Sequence, residues 1–176
     1  RPVFFVKDRL IETFAVKKPL HLLIADTGIA GPTRIAVGDV RAAWQADPER
    51  YDTWFRQMGQ IAVMARGAIT AGEHHALGAL MDGNQWLLQQ IGVSSPEIEA
   101  LVQAARQAGA LGAKLSGAGR GGNVIALVEL DTQAAVVDAL RQAGAKSITP
   151  TTVGPPTTVG PPTTVGPPTT VGQTIV

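Results

Sequence analysis

The chain has 176 residues, 45% of them hydrophobic, and a formal net charge of +1. It can bury one core, and it offers no charge excess for nucleic acid or an acidic membrane surface. The absence of cysteine excludes disulfides and thiolate metal sites; no apolar run nears the roughly 18 residues of a membrane span and no signal peptide is visible, which fits a cytoplasmic protein.

Residues 20–25 predict an apolar strand, ended by Asp26-Thr27-Gly28. A helix is predicted over 34–46, stopped before Pro48. Tyr51, Trp54, Phe55, Met58, Ile61, Ala62, Ala65 and Ile69 mark one face of a second helix. Leu77, Leu80, Met81, Leu87, Leu88 and Ile91 mark a third, ending at Gly92. Ser95 and Pro96 form an N-cap and first-turn pair for a helix that Gly109 closes. Strand, glycine loop and strand occupy 111–130. Asp131 is the expected cap of a helix through Leu140, Gly144 ends it, and 145–152 form the last strand. This order predicts an α+β fold, a ferredoxin-like βαββαβ unit with additional helices inserted in the first crossover.

The loop between the paired strands carries four glycines in six residues, at 117, 119, 121 and 122. Backbone without a Cβ can turn several N–H groups toward one anion; a plain hairpin turn is the competing reading. Gly117, Gly119 and Gly122 fit G-x-G-x-x-G, but an apolar strand follows instead of a helix, and Arg141-Gln142-Ala143 stands where a dinucleotide site needs a carboxylate. No Gly-Lys-Ser/Thr closes the loop, so it is not a Walker motif either.

Lys114-Leu115-Ser116-Gly117-Ala118-Gly119-x-Gly121-Gly122 before an apolar strand resembles the C-terminal glycine motif of the GHMP kinases. Ala25-Asp26-Thr27-Gly28 with Thr33-Arg34, Leu80-Met81-Asp82-Gly83-Asn84-Gln85-x-Leu87-Leu88, and Gly92-Val93-Ser94-Ser95-Pro96-Glu97 resemble further segments of the superfamily's mevalonate kinase branch, in the same order. Arg120 departs from the pattern where the family has another glycine, and Asn123 where a small residue or cysteine is common.

The resemblance covers residues 20–130 and implies the GHMP kinase C-terminal domain fold. It implies a kinase that phosphorylates mevalonate to 5-phosphomevalonate with ATP in isoprenoid biosynthesis. ATP and magnesium would be held mainly by an N-terminal half, with the catalytic aspartate and nucleotide loop expected upstream of Arg1, so the chain is expected to be inactive alone. A homodimer is left open. Ser116, Gly117, Ala118, Gly119, Gly121 and Gly122 would line the phosphate side, and Thr33 would border the acceptor alcohol. Other readings are a phosphomevalonate or homoserine kinase, or a non-catalytic ferredoxin-like metabolite-binding module.

Thr33 reads equally as an N-cap for the helix at Arg34 and as cap plus substrate contact. Lys114 is either a solvated lysine or one that reaches the substrate side. Arg120, at the loop tip, reads as exposed. Asn84 lies on the apolar stripe of the third helix, so its amide either pins a neighbouring backbone, the preferred reading, or faces a polar cleft. His74 and His75 are adjacent and point to different helix faces, which argues against a metal site.

The domain reading is a remnant of an N-terminal domain edge over 1–19, the C-terminal domain over 20–152, and a disordered low-complexity tail over 153–176. Thr-Thr-Val-Gly-Pro-Pro begins at 151 and repeats at 157 and 163, and no residue from Ser147 onward is charged. Paired prolines every six residues favour extended polyproline conformation over a packed sheet. An appended tail is preferred over a ligand for a proline-reading module.

Overall fold

The computed structural model describes residues 2–7, 10–31, 33–117 and 119–154. A short antiparallel pair, β1 (Val3–Phe4) and β2 (Glu12–Thr13), precedes β3 (Leu20–Asp26). Four helices come next: α1 (Thr33–Ala46), α2 (Pro48–Ala71), α3 (His74–Gln90) and α4 (Pro96–Gln107). The chain then forms β4 (Gly112–Ser116), β5 (Asn123–Val128), α5 (Gln133–Gln142) and β6 (Ser147–Val153).

The strands from β3 onward form one antiparallel sheet in the order β4-β5-β3-β6. That is the ferredoxin-like arrangement expected from the element order, with α1–α4 filling the first crossover.

Sequence chemistry explains most boundaries. Asp47 ends α1 and starts α2: its carboxylate accepts from Arg50 N at 3.3 Å, and Pro48 comes next, where a missing N–H costs nothing. Ser95 caps α4 by accepting from Ile98 N. Two expected boundaries move. Thr132, not Asp131, holds the cap position of α5; it makes no cap bond, and its hydroxyl donates to Glu129 O at 3.3 Å instead. The last strand runs over Ser147–Val153, because Lys146 N donates to Asp26 O before the strand begins and Val153 still pairs with Leu20.

Alternation in β3, β4 and β5 divides the core between the two sheet faces. Leu23, Ala25, Ala113, Leu115, Val124, Ala126 and Val128 face α4 and α5, meeting Ile98, Leu101, Val102, Val136 and Leu140. Leu20 and Leu127 lie on the other face, packed with Val16, Ala68 of α2 and Leu77 of α3. Helix α3 approaches β4 backbone to backbone: a Cβ on Gly78 would lie 2.1 Å from Leu111 O. The N-terminal hairpin is fastened to α2 by Arg66, which pairs with Glu12 at 2.8 Å and lies 4.4 Å from the Phe4 ring centre.

Candidate functional site

Three loops meet at the end of the sheet where β3 and β4 finish. They are the β3–α1 segment after Asp26, the α3–α4 turn at Gly92-Val93, and the glycine loop between β4 and β5. Thr27 N donates to Gly122 O at 3.0 Å, and Gly122 N donates to Ile29 O at 2.9 Å. Arg120 N donates to Val93 O at 2.7 Å. The first loop is held locally by its own side chains: Asp26 Oδ1 accepts from Gly28 N at 2.9 Å, and Thr27 Oγ1 from Ile29 N at 3.2 Å.

The glycines divide by role. Gly117, Gly119, Gly121 and Gly122 all have positive φ. Gly119 is buried, and a Cβ there would lie 2.2 Å from Val93 O, so its bareness serves packing between loops. Gly117 is exposed at φ +108, and a Cβ there would meet nothing within 4 Å. Among the described residues nothing accepts from the N–H groups of Gly117, Gly119 or Gly121, or bonds the Ser116 hydroxyl. Of these residues Gly117 is exposed and Ser116 half-buried, while Gly119 and Gly121 are buried. Ala118 lies outside the described residues.

Other expected residues fall differently. Thr33 is the first residue of α1 and is exposed; it lies within the helix instead of preceding it at Arg34 as a cap. Two residues earlier, Gly31 packs on the glycine loop, where a Cβ would lie 2.2 Å from Gly119 O. The first turn of α1 therefore starts beside that loop.

Arg120 is not simply exposed. Its side chain pairs with Asp39 of α1, its Nε donates to Gly92 O at 3.4 Å, and only 34% of it is accessible. Those bonds hold a non-glycine residue at φ +55, an uncommon backbone conformation.

Lys114 is half-buried and is not directed at the glycine loop. It turns toward the α2–α3 seam and donates to Leu115 O at 2.5 Å, and burial pushes its pKa below the ordinary lysine value. Asn84 lines the same cavity and makes no hydrogen bond among the described residues, so it faces a cleft and pins no backbone.

The pinning residue is its neighbour. Gln85 is fully buried, accepts from Leu115 N at 2.7 Å, and donates to Ser94 Oγ at 3.0 Å and Glu99 Oε1 at 2.7 Å. One turn earlier, Asp82 Oδ1 accepts from Ala113 N at 3.0 Å and from Arg106 Nε at 2.7 Å, while Arg106 Nη2 donates to Ala113 O at 3.0 Å. Side chains of α3 and α4 thus occupy the backbone groups that edge strand β4 turns away from β5. The strand leading into the glycine loop is fixed on both sides.

Residues 65–146 match the family described as GHMP kinases C terminal. Mevalonate kinase of Thermococcus sibiricus is 38% identical over 134 residues, covering 73% of this chain and 40% of that protein. Mevalonate kinase of Aeropyrum pernix is 47% identical over 106 residues, covering 60% of this chain and 33% of that protein. The crystal structure of L. major mevalonate kinase in complex with R-mevalonate superposes with a TM-score of 0.79 at 38% identity, over 84% of this chain and 46% of that one. Residues 65–146 are those of a GHMP kinase C-terminal domain, and the fold is shared with the L. major enzyme. It spans about two-fifths of the length of the T. sibiricus relative.

Proposed function

We propose that the chain is the C-terminal domain of a mevalonate kinase and contributes to ATP-dependent phosphorylation of mevalonate to 5-phosphomevalonate. The observation that carries this reading is the glycine loop. It is tied to the β3–α1 and α3–α4 loops by backbone hydrogen bonds, while the N–H of the exposed Gly117 has no acceptor among the described residues. Phosphoryl transfer depends mainly on positioning and on stabilising charge at the transferred group. In this reading the N–H groups of Gly117, Ala118, Gly119 and Gly121 and the Ser116 hydroxyl donate to phosphate oxygens. Gly122 shapes the turn, and Thr33 borders the acceptor alcohol at the start of α1.

Among the described residues no group of three or more His, Asp or Glu side chains could hold a metal ion. No step is assigned through a metal, and the reading places magnesium and the catalytic carboxylate in a companion N-terminal domain. It also places the protein in the cytoplasm; no helix among the described residues is long and apolar enough to cross a membrane. Dimer formation is left open.

The test joins this chain to the N-terminal part of the A. pernix relative and follows mevalonate-dependent ADP release in a coupled assay. Turnover is expected from the joined protein and none from this chain alone. A folded, ATP-binding joined protein that turns over phosphomevalonate or homoserine but not mevalonate would replace this reading with one of its neighbours. Binding of a metabolite without any turnover would favour a non-catalytic module.

A further inference from the structure

A cavity of about 180 Å³ opens between α2 and α3 at the free edge of β4. Its walls are apolar, from Ile61 and Ala65 of α2 and Leu80 and Met81 of α3. Two polar side chains enter it, Lys114 and Asn84. Lys114 Nζ spends one donor on Leu115 O, and no carboxylate among the described residues pairs with it. An ammonium has three donors, so two remain. The Asn84 amide is likewise without a partner among the described residues. A half-buried cation with no counter-ion beside a free amide is costly unless something supplies acceptors.

We propose that this cavity is a binding site for a short aliphatic carboxylate. Its acid group lies on Lys114 Nζ and Asn84 Nδ2, and its carbon body lies between α2 and α3. Size and polarity select this class. At roughly 30 Å³ per water the space equals about six waters, enough for a chain of four or five carbons with its acid group. One ammonium and one amide match a monoanion, and the apolar walls disfavour a phosphate dianion, which needs more donors.

Lys114 precedes Ser116 by two residues on the same strand, so the cavity adjoins the glycine loop without sharing its donors. The acceptor proposed for the kinase is itself a short carboxylate, but the inference stands on the cavity alone, and its test needs neither ATP nor turnover.

The experiment is a methyl-detected NMR titration of the 176-residue chain with sodium isovalerate, with 3-methylbutanol and inorganic phosphate as comparison probes. Isovalerate is expected to shift the Ile61, Leu80 and Met81 methyls saturably, at least tenfold more tightly than the alcohol. Lys114→Met should abolish the preference for acid over alcohol, and Asn84→Leu should weaken isovalerate several-fold. The proposal is overturned if isovalerate shows no saturable shifts, if the alcohol binds equally well, or if phosphate moves the same methyls as strongly. Should Lys114→Met fail to fold, the acid–alcohol comparison on the unaltered chain still decides.

Discussion

The buried amide of Gln85 accepts from Leu115 N at 2.7 Å, tying the middle of α3 to the free edge of β4. Its other end donates to Ser94 and Glu99, so one side chain joins the strand, the α3–α4 turn and α4. Gln85→Leu fills the space but strands the buried Leu115 N–H and removes one donor from Ser94 and Glu99, which keep their bond to each other. A stranded N–H costs about 1–3 kcal/mol. We expect a loss of about 3 kcal/mol in urea unfolding, with the Leu115 amide exchanging faster than that of Val124. A change below about 1 kcal/mol would mean that water replaces the amide without penalty.

Gly117 and Gly119 should separate by measurement. Gly119→Ala drives a methyl into Val93 O, at a residue with φ +86, and is expected to destabilise the domain by more than about 2 kcal/mol, of the order of other strained or overpacked sites. Gly117→Ala meets open space and carries only the strain of a side chain at positive φ, about 1–2 kcal/mol. In the joined kinase, Gly117→Ala should lower kcat at least tenfold, roughly 1.4 kcal/mol in the barrier. Parent-like kcat with Gly117→Ala would make the loop a turn and nothing more.

Asp39→Asn tests the tie on Arg120. The pair is partly exposed on both sides, so its removal should cost less than about 1 kcal/mol, and the cost should shrink in high salt. The expected signature is faster amide exchange at Arg120 and Gly121 with little change in melting temperature. Unchanged exchange at both positions would show that the backbone bond to Val93 alone fixes the loop.

Lys114 gives a pH prediction. Burial lowers its pKa in the folded state, so the unfolded chain binds the proton more tightly. Stability should therefore rise with pH through the window from the lowered folded value up to the ordinary 10.5, and the penalty should be fully present below that window. Lys114→Met should raise stability at neutral pH and flatten this dependence. A less stable Lys114→Met protein at neutral pH would show that the ammonium has a favourable partner.

Truncation distinguishes the last strand from the repeats beyond it. Ending the chain after Gly154 should leave the melting temperature unchanged. Ending it after Pro150 removes the pairings of Leu20, His21 and Leu22 with Val153, Thr152 and Thr151, and should lower it by several degrees. Equal melting temperatures for the two truncations would show that the last three pairings of β6 carry no stability.

Element order was legible in the sequence because apolar spacing and caps acted locally. Asp47-Pro48 and Ser95-Pro96 begin helices where their chemistry indicates. The glycine motif likewise lies at the loop junction. The partners were not legible, because they are distant in sequence. Nothing along α3 tells whether Asn84 or Gln85 turns inward; both lie four residues beyond an apolar position, and the approach of β4 decides it. Arg120 looked like a free tip residue because Asp39 lies 81 positions away. Gly117 and Gly119 look alike in sequence, and only the path of Val93 tells them apart.

The end of β6 shapes how this chain can vary. Pro150-Thr151-Thr152-Val153-Gly154, which completes the pairing with β3, recurs word for word at 156–160, 162–166 and 168–172. Loss or gain of one six-residue unit, a frequent slip when repeated DNA is copied, would leave Thr149 followed by the same five residues. The tail can therefore lengthen or shorten across generations by whole units while the sheet receives an unchanged final strand.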